Sequence, residues 1–257
     1  MSGTLQAMDY LSCFFRSYFI GAAYNPRGLQ NIGFCYAIEP ALAKIYGPGP
    51  ALREARLRYV DRYNCHPFFT PMLLGIFLRM ELDIVQGGQN KCFLESLKDT
   101  TANTLSGIGD SVFNGTLLCT WALTASCCIL AGQPLLALSV TLTGLVLLQL
   151  FKLGTFVLGL RKGMSVLYFL RRLDLINHGD IFKCVNAVLL ALFLWLIMPD
   201  KEIVAPGFAL AYLVAAGACV GRIHMPRVML IMFLLALIIA LHKAGLFGII
   251  PSFLAGG

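Results

Sequence analysis

Two long apolar runs in a part of the chain without positive charge constrain the fold more than any other sequence feature. No lysine or arginine occurs from residue 99 to residue 151. Residues 117–131 and 135–150 are apolar, and the residues between them read Gly-Gln-Pro, a strong turn signal. A helix of about 20 residues crosses the hydrocarbon core of a membrane. The pattern therefore predicts a membrane helical hairpin whose first arm is short.

The composition of the whole chain also indicates contact with lipid. Of its 257 residues, 58% are hydrophobic and 13% are charged, whereas soluble domains are about half apolar and about a quarter charged. This excludes a disordered chain and a nucleic-acid-binding tail, and it argues against an ordinary cytosolic enzyme. We predict an all-α integral membrane protein with helical hairpins, re-entrant segments and an amphipathic N-terminal helical region.

The positions of the basic residues predict an orientation in the membrane. The net charge is +7, and lysine and arginine concentrate before residue 99 and in the connections 152–183 and 222–227. Because cytoplasmic connections are enriched in these residues, both connections and the N-terminal part are placed in the cytosol, with about five crossings and the C-terminus outside. Two domains are expected: a cytosol-facing and re-entrant region over 1–98 and a membrane-spanning region over 99–257.

The N-terminal region is expected to contain one amphipathic helix and one buried or re-entrant segment. In residues 52–63, apolar side chains recur at helical spacing, the polar side carries several arginines, and Glu54 and Arg58 are spaced as an i,i+4 ion pair. Whether the cationic side meets lipid headgroups or a cytosolic partner is left open. Residues 68–78 are apolar but too few to cross the membrane as a helix.

Three polar patches, 25–34, 64–69 and 106–116, interrupt the apolar pattern. They offer amides, an imidazole and a carboxylate, which can donate to and accept from the hydroxyls of a sugar. The candidate binding residues are Asn25, Gln30, Asn64, His66, Asp110 and Asn114. Asp110 is the main candidate of the third patch because a carboxylate at a membrane entrance is costly unless it has a partner.

Structural roles remain open for the same residues. Asp110 could cap the helix that follows it, and Asn64 could also be a helix cap. His66 could be a buried imidazole with its hydrogen bonds satisfied, and Gly107 and Gly109 could serve a tight turn or close helix packing.

No catalytic residue, metal site or cofactor is predicted. The nine cysteines include no Cys-x-x-Cys pair, the four histidines lack metal-ligand spacing, and the glycines of residues 107–109 are not followed by the third glycine of a dinucleotide-binding loop. An integral-membrane enzyme needs a clustered acid, base or metal set, which the sequence does not offer.

The polar patches resemble motifs of one family. Residues 64–68, Asn-Cys-His-Pro-Phe, resemble its Asn-Thr-His/Gln-Pro-Phe pattern, and residues 107–110, Gly-Ile-Gly-Asp, resemble its Gly-Val-Gly-Asp motif. The family is the IID membrane component of the mannose/fructose/sorbose class of the phosphoenolpyruvate-dependent sugar phosphotransferase system. The likeness runs in order from residues 14–17 to residues 245–248.

The resemblance implies a multi-pass subunit of the inner (plasma) membrane that forms, with a IIC membrane component, the path of a hexose-type sugar. It also implies cytosolic IIA and IIB components, with phosphoryl transfer from a histidine of IIB and from none of the four histidines here. Asn64, His66 and Asp110 would then lie near the sugar or its gate, with Asn25, Gln30 and Asn114 behind them. Departures from the family pattern, such as Pro-Arg-Gly at residues 26–28, leave a transport-inactive scaffold or binding subunit as the alternative.

Overall fold

The regular structure of the described residues, 4–172 and 174–197 of this computed structural model, is helical apart from two isolated β-bridges. The bridges join Leu29 to Asn25 and to Tyr63. A π-helical segment, Asp110–Leu117, connects α5 to α6 without a break. The helices are α1 (Ala7–Arg16), α2 (Asn31–Tyr46), α3 (Pro50–Val60), α4 (Thr70–Val85), α5 (Lys91–Gly109), α6 (Leu118–Leu130), α7 (Pro134–Lys162), α8 (Ser165–Arg172) and α9 (Leu175–Ile197), with a short 3-10 helix over Ser17–Phe19.

The chain divides into two units. The first comprises Met1–Leu118 and Ser139–Gly179, and the second comprises Cys119–Leu138 and Asp180–Gly257. Within the second unit, α6 meets α9 through a hydrogen bond in which Thr120 Oγ1 donates to Asn186 Oδ1 at 2.7 Å. All six candidate binding residues belong to the first unit.

The core of the first unit forms around α4, which the sequence predicted to be a short buried or re-entrant segment. Every residue of α4 from Thr70 to Leu78 is buried. The rings of Phe34 on α2 and Tyr59 on α3 pack against Phe77 on α4, at centroid distances of 5.8 and 6.2 Å. The prediction of a buried segment is confirmed, because apolar side chains cover α4 on all sides.

Helix α3 has the predicted buried side but not the predicted ion pair. The apolar residues Leu52, Ala55 and Tyr59 are buried. Arg58 is only 4% exposed and pairs with the buried Glu81 of α4, whereas Glu54 pairs with Lys91. The predicted Glu54–Arg58 pair is therefore wrong, because Arg58 lies beside Tyr59 on the side of α3 that faces the core.

Both helices of the predicted hairpin are present, and the first is longer than expected. Two stretches in the described part of the chain are long and apolar enough to cross a membrane, namely the continuous helix Lys91–Leu130 and α7. Residues 131–133 form the turn between them. Leucines along the first half of α7, including Leu135 and Leu142, are exposed, as contact with lipid requires. The crossings predicted at 205–220 and 228–241 lie outside the described residues.

Candidate functional site

Asn25 shapes the loop that precedes α2. Its Oδ1 accepts a hydrogen bond from the backbone N–H of Gly28 at 2.7 Å, and its Nδ2 donates to Asn31 Oδ1 at 3.0 Å. Its backbone exchanges two hydrogen bonds with Leu29. Such side-chain bonds to the nearby backbone are why asparagine stabilises turns. Both ends of the Asn25 amide are thus used within the loop.

Gln30 joins the first polar patch to the second. Its Oε1 accepts from the backbone N–H of Cys65 at 3.0 Å, and its own backbone N–H donates to the carbonyl of Tyr63 at 2.9 Å. The loop before α2 therefore holds the residues around His66 in place.

Asn64 and His66 join the second patch to the third. Asn64 Nδ2 donates to Ser106 Oγ on α5 at 3.1 Å. A Cβ on Gly109 would lie 2.2 Å from His66 Cβ, so only glycine leaves room for the imidazole there. The structural alternative of close packing is thus correct for Gly109, and the packing partner is a candidate binding residue.

The imidazole of His66 is buried and held in one orientation. It stacks on Phe113, with ring centroids 5.2 Å apart and planes 13° apart, and it is 4% exposed. Its Nδ1 accepts from the backbone N–H of Phe68 at 3.3 Å, and a side-chain hydrogen bond links it to Asn114. Because Nδ1 accepts a hydrogen bond, the neutral ring carries its proton on Nε2.

Burial lowers the pKa of His66. The hydrogen bond to Asn114 and the negative charge of Asp110 oppose this shift, whereas the positive charge of Lys152 acts in the same direction as burial. The net effect favours the neutral imidazole around neutral pH. Both ring nitrogens are already hydrogen-bonded within the protein, so the structural alternative of a buried imidazole with its hydrogen bonds satisfied is correct for His66.

Asp110 is exposed and lies inside a continuous helix rather than at the start of one. Residues on both sides of it are helical, and it begins the π-helical segment, where one extra residue in a turn re-aims the side chains. Its Oδ1 accepts from Asn114 Nδ2 at 3.0 Å. The alternative that Asp110 caps the following helix is therefore wrong.

Five of the six predicted residues form one connected group, which we call the polar cluster. The polar cluster comprises Gln30, Asn64, His66, Asp110 and Asn114. Asn25 is connected to it only through the loop that carries Gln30. Of these residues Asp110 and Asn114 are exposed, so their carboxylate and amide can reach the hydroxyl groups of a ligand.

Sequence reasoning missed two charged groups in this region. Lys152 on α7 is 8% exposed and lies over the rings of Tyr18 and Phe68, although the sequence places it among the residues of a basic connection. Glu81 on α4 is fully buried and binds Arg58. A signal existed for Lys152, which is a single charge with apolar residues on either side, but not for Glu81, which lies between Arg79 and Asp83.

The sequence matches the family described as PTS system mannose/fructose/sorbose family IID component over residues 4–179. A fructose permease IID component of Bacillus subtilis (strain 168) is 30% identical over 168 residues, which is 63% of this chain and 60% of that protein. A PTS system mannose-specific EIID component of Escherichia coli (strain K12) is 26% identical over 166 residues, which is 63% of this chain and 56% of that protein. The chain therefore aligns with less than two thirds of the length of these relatives.

Solved structures share the fold at low sequence identity. A cryo-EM structure of the mannose transporter ManYZ in complex with microcin E492 contains a chain that matches with a TM-score of 0.50 and 20% identity, covering 95% of this chain and 98% of that one. A second structure, of a membrane protein, matches with a TM-score of 0.64 and 19% identity, covering 94% and 98%. The predicted all-α membrane fold is confirmed.

Proposed function

Because this chain belongs to the IID component family of the mannose/fructose/sorbose phosphotransferase systems, we propose that it is the IID subunit of a sugar permease. In this proposal a IIC membrane component completes the path of a hexose-type sugar. A IIB partner, supplied with phosphoryl groups by IIA, phosphorylates the sugar during uptake. The subunit itself transfers no phosphoryl group.

The observation that carries the proposal is the polar cluster, which gathers residues from three separate patches about halfway along the helix Lys91–Leu130. We assign Asn64, His66 and Asp110 to sugar binding or to its gate, with Asn114 as the link between the last two. Gln30 and Asn25 hold the loop that positions them. Hydroxyl groups would meet amides and one carboxylate beside a neutral imidazole, so that binding needs no net charge on the ligand.

We further propose that the protein is a multi-pass protein of the inner (plasma) membrane. Residues 1–98 would face the cytosol and include the re-entrant part, and residues 99–257 would span the membrane. The polar cluster would then lie near the cytosolic end of the spanning region, within reach of a phosphorylating partner. Alternating access would come from movement of one rigid block against another.

The experiment measures hexose uptake by the complex with its IIC, IIA and IIB partners in cells that lack other hexose permeases. We expect Asp110→Asn and Asn64→Ala each to reduce uptake at least about tenfold, because each removes a hydrogen bond to the ligand or its gate. Co-purification with the IIC partner should be unchanged. The control is Asn103→Ala, an exposed asparagine elsewhere on α5, which should transport normally.

Two other outcomes have separate meanings. Unchanged uptake in both variants would contradict the assignment of the binding residues. A wild-type complex that assembles but takes up no hexose would favour the alternative, a transport-inactive scaffold or binding subunit. A gene without neighbouring IIA, IIB and IIC genes would point the same way.

A further inference from the structure

Lys152 is a buried cation that does not belong to the polar cluster. It lies on α7 and is 8% exposed. It forms no ion pair with any carboxylate among the side chains that the structure describes. A buried charge without an ion-pair partner is unfavourable. Its position on the enclosed side of α7 also means that it does not extend along lipid, as exposed lysines near membrane surfaces do.

Two aromatic rings hold the ammonium group in place without using its hydrogen-bond donors. Nζ lies 4.2 Å from the centroid of the Tyr18 ring and 5.0 Å from that of Phe68. Cation–π attraction orients the group but leaves its N–H bonds available for an acceptor. Tyr18 donates its hydroxyl proton to Gln149, which lies one turn before Lys152 on α7. Gln149 and Lys152 therefore lie on the side of α7 that faces Tyr18.

The same ammonium group adjoins the polar cluster. The Phe68 ring lies 5.2 Å from the imidazole of His66 and 4.7 Å from the ring of Phe113. Lys152 also affects the protonation of His66 through its charge. Lys152 and these aromatic rings therefore adjoin the polar cluster.

We propose that Lys152, held in place by the Phe68 and Tyr18 rings, is a specificity-determining residue that donates a hydrogen bond to one hydroxyl oxygen of the sugar. This inference rests on the proposed function and adds one residue to the proposed sugar-binding site. An ammonium group has three donors and no acceptor, so it selects a ligand oxygen. The carboxylate of Asp110 in the adjoining polar cluster disfavours an anion and favours an uncharged sugar.

The test is a binding measurement on the purified complex with its IIC partner. The hexose bound most tightly among D-mannose, D-fructose, D-glucose and L-sorbose is compared with its monodeoxy analogues. In the wild type, one analogue should bind about tenfold more weakly than the parent sugar, because a donor of the site then lacks its acceptor. Lys152→Met should bind the parent about tenfold more weakly and should no longer distinguish it from that analogue.

Two variants make the result specific. Lys162→Met removes an exposed lysine from the same helix and should keep the wild-type discrimination. Lys152→Arg keeps the charge but changes the donor geometry. If Lys152→Met does not assemble, Lys152→Arg must show the altered discrimination for the inference to stand.

Each remaining outcome has a defined meaning. A Lys152→Met complex that discriminates among the analogues as the wild type does would overturn the inference while leaving the proposed function intact, even if its affinity is lower. Binding of inorganic phosphate that depends on Lys152 would overturn the assignment to a sugar hydroxyl. A wild-type complex that binds no hexose would overturn the proposed function and this inference with it.

Discussion

At the scale of single residues, the carboxylate of Glu81 organises the first unit. It accepts from Arg58 Nη2 at 2.7 Å, from the hydroxyl of Tyr59 at 2.7 Å and from the hydroxyl of Tyr46 at 2.5 Å. Lys98 Nζ donates to the backbone carbonyl of Arg58 at 2.6 Å. The bonds of Glu81 join α2, α3 and α4, and the bond of Lys98 adds α5, so that two buried charges link the four helices that position the polar cluster.

We expect Glu81→Gln to destabilise the protein strongly. The substitution leaves the buried guanidinium of Arg58 without its counter-ion, and breaking one side of a buried pair costs about 3–5 kcal/mol. The matched control is Asp83→Asn two residues later on α4, because Asp83 pairs with Arg79 at 3.2 Å on the surface. That change should cost at most about 1 kcal/mol. Thermal unfolding of the detergent-purified protein measures both, and equal midpoints for the two variants would contradict the prediction.

The polar residues of the site could be predicted from the sequence, but their contacts could not. Asparagine, histidine and aspartate are conspicuous among apolar residues, so the sequence alone identified His66 and Asp110 as candidate binding residues. Arg58 was assigned to a local i,i+4 pair, whereas its partner lies 23 positions away in the chain. Lys152 was missed for the same reason, since only tertiary packing decides whether a lysine is solvated or enclosed by aromatic rings.

At the scale of elements, α4 and α7 touch backbone to backbone through two glycines. A Cβ on Gly75 would lie 2.5 Å from the carbonyl oxygen of Phe156, and one on Gly159 would lie 2.6 Å from that of Met72. Small residues at such crossings allow close helix packing in membranes. This crossing fixes the part of α7 that carries Lys152.

Gly159→Ala should therefore force α4 and α7 apart, lowering the unfolding midpoint and the uptake together. Gly154→Ala is the matched control on the same helix, because nothing lies within 4 Å of the Cβ that it would add. At an open helical position alanine is favoured over glycine by about 0.5–1 kcal/mol, so the control should be neutral or slightly stabilised. Equal losses of stability in the two variants would show that the crossing is not the cause.

Helix existence was predictable where the apolar pattern was strong, and helix length was not. The turn at residues 131–133 ends one helix and begins the next, as Gly-Gln-Pro indicates. The helix before it begins at Lys91 rather than near residue 117, because its first half mixes polar and apolar side chains. The π-helical segment has no sequence signature, yet it sets the direction of Asp110 and Asn114.

At the scale of the whole molecule, the distribution of charge predicts which membrane face each connection occupies. The turn at 131–133 lies in the interval without lysine or arginine, whereas α7 ends on Arg161 and Lys162. Basic residues remain in the cytoplasm, so the turn should be outside and the end of α7 inside. The N-terminal region, residues 1–98, which contributes Gln30, Asn64 and His66 to the polar cluster, should face the cytosol with the end of α7.

A membrane-impermeant thiol reagent tests this orientation in intact cells. Gln133→Cys introduces an exposed thiol at the turn, and we expect it to be labelled without permeabilisation. Lys162→Cys and the native exposed Cys92, at the start of α5, should be labelled only after the membrane is permeabilised. Mass spectrometry assigns the label to each site, so the remaining native cysteines need not be replaced. The reverse labelling pattern would place the N-terminal region and the polar cluster outside, where no cytosolic phosphorylating partner could reach a bound sugar.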